Sequence, residues 1–384
     1  MTIKGISEAN IRKISRIKKE PKWMTDFRVM SYNKFSELSQ PSFGPDLRID
    51  FDEINCYRKI TEHVEEDWNK VSNKIKDVLK NNDLHNLVKN KNSGIGIQYE
   101  SEAIYYNLLE SLKEKNIIFC NIDTALKKYP ELFKKYFNNL VKFDENEYTA
   151  LNSSIWSGGT FIYIPPNTNV DIPFINYYFI SDSNICQSVR NLIIVDENSS
   201  LEYKCEYYST ITSNDSIHNE VTEVYVGKNA KCKFTTIEKF EDTIFNINIK
   251  RAIVEECATM EWYNENSGSK VNMEYPTCIL NGKYSKGKSI SIIASDNQIS
   301  DIGAKMIHIL PNTTSEIICN SASVNGGDIS FRSNIKIAKK AINSNSSVKI
   351  EAKILDKDSK INIIPKNISE NNSSVINYNS KITK

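Results

Sequence analysis

The sequence predicts a mainly β protein with a helical N-terminal region, in which the back half, from about Trp156, forms a coiled scaffold of the parallel β-helix type. Three observations point there. After Trp156 the hydrophobic period changes to two: FIYI, LEYKCEY, KCKFTTIEKF, TMEWYNE, SIIAS, SEIICNS, VKIEAKI and KINIIP all alternate or run as short β-rich strands. The strands recur, with Val195, Val226, Val254, Ile309 and Ile337 separated by steps of 31, 28, 55 and 28 residues, the longest close to two periods. Short turns rich in Asn, Ser or Ala separate them, which suits coils that bury one face on their neighbours better than hairpins. A β-sandwich is the structural alternative.

Taken in order, Ser7 precedes Ile11, Ile14 and Ile17 at helical spacing and Pro21 ends that run, so a capped amphipathic helix is expected. A second helix follows through Phe27, Met30 and Phe35. QPSFGPDLRIDFDEI, with two prolines and a glycine, reads as an extended connector lying over another surface. Val64 to Leu79 and Ser101 to Lys115 read as helices, with NKNSGIG as a polar loop between them. Ile117 to Cys120 is a short β-like run, and Asp123 to Leu140 carries Leu126, Tyr129, Leu132 and Tyr136 at helical intervals. The domain expectation is therefore a mixed, mainly helical region over 1–150 and a β-helix core over 151–384.

A chain of 384 residues with 40% hydrophobic content can bury sizeable cores. Its 49 basic and 48 acidic residues nearly cancel, so no large field holds nucleic acid or an anionic membrane. No apolar stretch reaches membrane-spanning length and the start lacks a signal-type apolar core, which together predict no membrane partner and no secretion. Eight scattered cysteines without a C-x-x-C fit reduced, mostly buried thiols in a cytoplasmic setting.

Few residues carry a chemical signature. Gly158-Gly159 and Gly326-Gly327 neither begin a helix nor precede Lys-Ser or Lys-Thr, and read as turn glycines. His63, His85, His218 and His308 show no paired metal-ligand spacing. Asp296 with Asp301, and Glu255 with Glu256, are acid pairs of the kind carbohydrate-active β-helix enzymes use, but nothing fixes their separation. No G-x-S-x-G is present. No enzyme is expected.

Strings along nearly the whole chain carry a resemblance: ISEANIRKISRIKKEPKWMTDFR, GPDLRIDFDEI, IIFCNIDTALKKYPELFKKYF, ALNSSIWSGGTFIYIPPNTNVDIPF, DSIHNEVTEV, IKRAIVE, MEWYNENSGSKVNMEYP and GAKMIHILPNTTSEI. They resemble the SufB/SufD family of the SUF iron–sulfur cluster assembly system, and SufB more than SufD. The resemblance implies a right-handed parallel β-helix core of the SufBD type, pairing with a SufD-like or SufB-like sibling through it, and docking of a SufC-like ATPase on a C-terminal helical region. It also implies a core that receives sulfur and houses a transient iron–sulfur cluster, in the cytoplasm or a plastid-type stroma.

The departures from the family pattern fall at its chemistry. A cysteine that accepts sulfur in the family stands where Tyr207 stands here, two residues after Cys205, which shares its face if the strand is extended. Cys205 is thus either a replacement thiol or a residue of the coil wall. A family Gln and Trp align with Glu238 and Phe240, while Lys250 is retained, so Cys205 and Lys250 are the candidates for sulfur handling. A family His aligns with Ile299, a family Cys with Ile350, and a terminal ligand segment with residues around Val375; Asp301 and His308 are retained and are the metal candidates. The chain stops after SKIT, so the family's C-terminal helical domain, and with it the SufC docking region, is expected to be missing. Two functions follow: a SufB-like cluster assembly scaffold, or a diverged, cluster-free subunit that pairs with a sibling. A carbohydrate-active enzyme is a third.

Overall fold

The structure is a computed structural model that describes residues 1–81, 94–211 and 213–384. Its N-terminal helices form for local reasons. Ser7 caps α1 (Glu8–Lys18) by accepting from the Asn10 amide, Glu8 and Lys18 complement the helix dipole, and Lys19 ends it in a left-handed conformation. Pro21 then opens α2 (Lys22–Glu37). Between β1 (Thr2–Lys4) and its partner β2 (Asn55–Arg58) the connector runs extended, and its Leu47 and Ile54 pack with Ile11, Ile14, Phe245 and Met273.

The helix expected over Val64–Leu79 exists only as a 3-10 turn at Trp68–Lys70 followed by α3 (Asn73–Asn81). The helix expected over Ser101–Lys115 is a strand, β4 (Glu102–Leu108), with one short helical turn, α4 (Glu110–Lys113). AIYYNL is β-branched and aromatic, and it pairs antiparallel with β3 (Gly94–Tyr99), so tertiary pairing overrides the helical spacing. Gly94-Ile95-Gly96 of the expected loop therefore lie in β3, while the rest of that loop and His85 lie outside the described residues. β5 (Ile118–Asn121) forms as expected, and Tyr129-Pro130 splits the following helical stretch into α5 (Ile122–Lys128) and α6 (Pro130–Tyr136). α7 (Glu147–Ile155) carries a capping box at Asn146 and Thr149.

From residue 161 the chain winds as a β-solenoid of about eight turns. One sheet is built from β6 (Thr160–Ile164), then, at every second strand, from its later members. The other starts with β7 (Phe174–Ile180), and the two alternate through β8 (Cys186–Val195), β9 (Ser200–Ser209), β10 (Ser216–Val226), β11 (Lys231–Lys239), β12 (Ile244–Val254) and β13 (Thr259–Asn266). The coil continues through β14 (Val271–Leu280), β15 (Lys286–Asp296), β16 (Ile299–His308), β17 (Thr314–Val324), β18 (Asp328–Ile337), β19 (Asn345–Ile354), β20 (Lys360–Ser369) and β21 (Val375–Thr383). All pairs from β6 onward are parallel, whereas β5, β3 and β4 extend the two sheets at their first edges. No sandwich is formed.

Register corrects one anchor of the repeat: Val195, Val226 and Val254 are successive partners, but the column continues through Leu280 and His308, not Ile309, to Ile337. Asparagine makes the corners because it tolerates positive φ. Asn167, Asn198 and Asn229 sit at φ 57°, 56° and 58°, and each amide after the first donates to the preceding Asn side chain, at 3.0 and 2.9 Å. The outer face of the β8–β10–β12–β14 sheet is covered by α1, α7 and the connector, which explains why β10 is buried on both faces. No helix among the described residues is long and apolar enough to cross a membrane.

Candidate functional site

Alternation along β10, β12 and β14 turns the even-numbered residues into the coil. At the C-terminal ends these are Val224, Val226, Ala252, Val254, Cys278 and Leu280 of the main core. Nearer the strand starts the same parity brings His218, Glu220, Lys250 and Glu274 inside, all fully buried. Lys250 Nζ donates to Glu274 Oε1 and to Thr236 Oγ1, both at 2.5 Å, and lies 5.2 Å from the centroid of the Phe234 ring. Glu220 accepts from the Tyr207 hydroxyl at 2.5 Å and from Thr222 at 2.7 Å, with His218 Nε2 at 3.6 Å. Gln187 donates its amide to the Glu100 and Phe179 carbonyls, so its oxygen faces His218 Nδ1 at 2.9 Å and that nitrogen carries a proton.

Across the coil, Glu238 accepts four hydrogen bonds, from the amides of Phe240 (2.7 Å) and Gly268 (3.1 Å), from Ser269 Oγ (3.0 Å) and from Asn272 Nδ2 (3.2 Å). Phe240 packs against Tyr207 and His218 at centroid distances of 5.7 and 5.3 Å. The four family-marked positions Tyr207, Glu238, Phe240 and Lys250 thus belong to one stretch of the interior.

Electrostatics follow from burial and pairing. Burial opposes ionisation of Glu220, yet the neighbouring His218 imidazole, the Lys250 charge and the Tyr207 hydroxyl hold its carboxyl down at about 2. Burial lowers Lys250, but the Glu274 and Glu220 carboxylates more than offset it and raise the amine. Burial pushes Glu238 up to about 7 despite its four donors. Burial also pushes His218 down, with Glu220 pulling the other way.

Cys205 is completely buried on this same face, and burial followed by the Glu220 charge lifts its thiol far above the ordinary range. In this arrangement it is a protonated thiol and not a ready nucleophile. Register places it in an inward row that runs Asn176, Cys205, Thr236, Asn264, Ser291, Cys319, Ile350. Glu274 Oε2 and the side-chain amides of Asn248 and Asn264, all buried, have no protein partner, so this part of the core demands a polar guest or water. Toward its C-terminal end the row turns to hydrocarbon at Ile350, 1% exposed, before the last coil's Ser380.

Cys205 and Lys250 are therefore brought together, whereas Asp301 and His308 are not. Asp301 points outward from β16, where it accepts from Tyr275 (2.8 Å) and from both arms of Arg332 (2.6 and 2.7 Å). His308 points inward and is held by Thr313 (2.7 Å) and Ser315 (2.9 Å), with burial pushing it down to about 4. An odd separation along one strand puts them on opposite faces, so they do not form a joint metal site. Ile299 and Val375 are exposed on the solenoid surface. Among the described residues no group of three or more His, Cys, Asp and Glu is arranged to hold a metal ion. All eight cysteines are free, six of them buried, and Cys257 is exposed. Of the acid pairs, Asp296 bonds Asn325 and Glu255 bonds Asn281 at coil corners, which are structural roles.

Sequence reasoning missed Glu220, Glu274 and Thr236. The signal was present: in SIHNEVTEVYV, His218, Glu220 and Thr222 share the parity of Val224 and Val226, so polar groups continue an inward apolar row.

A parallel β-solenoid with a charged, hydrogen-bonded stretch in its interior and a helical cover on one sheet defines the class, a β-solenoid protein with two recognisable regions. Residues 178–384 match the SUF system FeS cluster assembly SufBD core domain, and residues 17–174 match the SufBD protein N-terminal region. The chain belongs to the SufBD family of iron–sulfur cluster assembly proteins. It is 39% identical over 383 residues to an iron–sulfur cluster assembly SufBD family protein of Staphylococcus epidermidis, covering 99% of this chain and 82% of that one. Counterparts in Staphylococcus haemolyticus (38%) and Staphylococcus aureus (39%) match over the same shares.

Proposed function

We propose that this chain is the SufB-like scaffold subunit of a SUF complex, pairing through its coil with a SufB-like or SufD-like sibling and handling sulfur in its interior. The nascent cluster is the cargo of such a complex. The observation that carries the reading is the convergence of Tyr207, Glu238, Phe240 and Lys250 with Cys205 on one buried polar stretch. Lys250 would steady an anionic sulfur species there, since its charge favours the Cys205 thiolate and it donates to Thr236, the register partner of Cys205. For Cys205 to attack, the coil must open or the Glu220 charge must be relieved, because burial keeps the thiol protonated.

A second reading, a cluster-free partner subunit, is favoured by Ile350, which fills a cluster-ligand position with buried hydrocarbon that cannot bind iron. The experiment is anaerobic sulfur loading of the chain co-expressed with a sibling, with iron and sulfide assayed in the wild type and Cys205→Ser. Sulfide that the variant loses supports the sulfur-handling reading. Sulfide unchanged in the variant rejects Cys205, and a stable pair carrying neither iron nor sulfide supports the cluster-free subunit.

A further inference from the structure

Two inward rows of the coil face each other without bonding. Asn272 Nδ2 on β14 donates to Asn266 Oδ1 on β13 at 3.0 Å. These strands lie on facing sheets and are joined by the short turn at 267–270, so two residues further from that turn the same facing sets Glu274 opposite Asn264. There the contact stops. Glu274 Oε2 and both polar atoms of the Asn264 side chain have no protein partner. Register supplies two more walls of the gap. Asn248 on β12 is the neighbour of Glu274, and both its amide atoms are unpartnered; Ser291 on β15 is the neighbour of Asn264, and its hydroxyl is unpartnered too. All four side chains are 0% exposed. Buried polar groups are seldom left unpaired, so unpaired groups that converge from two facing sheets call for a polar occupant.

Charge and donor chemistry decide which occupant. Lys250 stands between the Glu220 and Glu274 carboxylates, and its ammonium is engaged with Glu274 Oε1 and Thr236 Oγ1. One cation is thus set against two acids, and Glu274 Oε2 is left over. An anion beside that oxygen would be repelled, whereas a cation there balances the stretch. Carboxylate, amide and hydroxyl oxygens are hard donors, which suit an alkali cation and not a thiophilic metal. A single carboxylate among neutral oxygens matches one positive charge, whereas Ca2+ takes about 6–8 oxygens.

We propose that Glu274, Asn264, Asn248 and Ser291 bind a buried monovalent cation of the Na+/K+ class, which ties β12, β13, β14 and β15 together inside the coil. The ion is a structural charge partner and enters no reaction, so the site stands whether or not Cys205 handles sulfur. Because it is enclosed, the site fills as the coil folds, and its occupancy is read in stability.

Urea unfolding of the full chain in KCl, NaCl or choline chloride at one ionic strength tests it, because an ion bound only by the folded state raises stability with its concentration. Choline, a bulky quaternary ammonium, controls for ionic strength. The wild-type midpoint is expected to rise saturably as K+ or Na+ replaces choline. Glu274→Gln keeps the shape and removes the charge, and is expected to abolish that rise. Ser291→Ala removes one neutral oxygen and is expected to weaken the apparent cation affinity about tenfold. Exposed Glu351→Gln should respond as the wild type does. If Glu274→Gln does not fold, Ser291→Ala decides. A wild-type midpoint equal in all three salts would leave only water in the gap and overturn the assignment, as would a cation response that folded Glu274→Gln, or Ser291→Ala in its place, retains in full.

Discussion

Replacing Lys250 with methionine probes the interior network at its centre. Met matches the aliphatic stem in length and keeps the packing on Phe234, but it removes the cation that lies between two buried carboxylates. Glu274 then has no donor on Oε1, and its Oε2 is unpartnered already. Thr236 also loses its partner. Removing one member of a fully buried pair leaves an uncompensated charge and costs about 3–5 kcal/mol. The contribution is fully present at pH 7: a raised lysine stabilises at all pH below its unfolded value and loses that effect only as pH rises through the folded one. On the acid side, Glu220 is held at about 2 against a reference of 4.5, so its share is present above 4.5 and lost as pH falls from there toward 2. Urea unfolding followed by tryptophan fluorescence reads the loss. The double variant Lys250→Met/Glu274→Gln neutralises the stranded charge and should recover part of it, giving strong coupling in a double-mutant cycle. A single-variant loss under about 1 kcal/mol, or strict additivity, would refute the reasoning.

Three further outcomes follow from the same structure. Glu238 titrates near 7 when folded against 4.5 otherwise, so the folded state binds its proton more tightly and stability falls as pH rises from 4.5 to 7; Glu238→Gln should flatten that slope in unfolding curves taken between pH 5 and 8. Asp301→Asn should cost about 1 kcal/mol, since it weakens a part-exposed bidentate contact to Arg332, and should leave the iron content of the reconstituted protein unchanged; lost iron at unchanged stability would restore Asp301 as a ligand. Cys257 occupies a left-handed corner at φ 57°, where the preceding turn of the same column uses Asn229, so Cys257→Asn should raise stability by about 0.5–1 kcal/mol in the same assay.

The coil was readable from the sequence because its signal is repeated: each strand alternates, and each corner carries a residue suited to a tight turn. The anchor at Ile309 failed by one residue because His308 continues the inward row with a polar side chain, which hydrophobic periodicity does not count. The helix expected over Ser101–Lys115 is instead mostly β4, because the pairing with β3 that decides the matter is non-local. At the site, Lys250 and Cys205 could be singled out only through the family resemblance. Glu220, Lys250 and Glu274 lie on β10, β12 and β14 of three successive coils, and only the register of parallel strands gathers them and brings Lys250 within bonding distance of Glu274. The separation of Asp301 from His308, by contrast, follows from strand parity alone.

As a SufB-like subunit, the chain is expected to pair with a sibling through its coil. Co-expression with a tagged SufB-like or SufD-like sibling, followed by affinity purification and mass measurement of the native complex, tests this directly. A one-to-one pair that persists through size exclusion is the predicted result. Recovery of the sibling alone, with this folded chain in the flow-through, would contradict it.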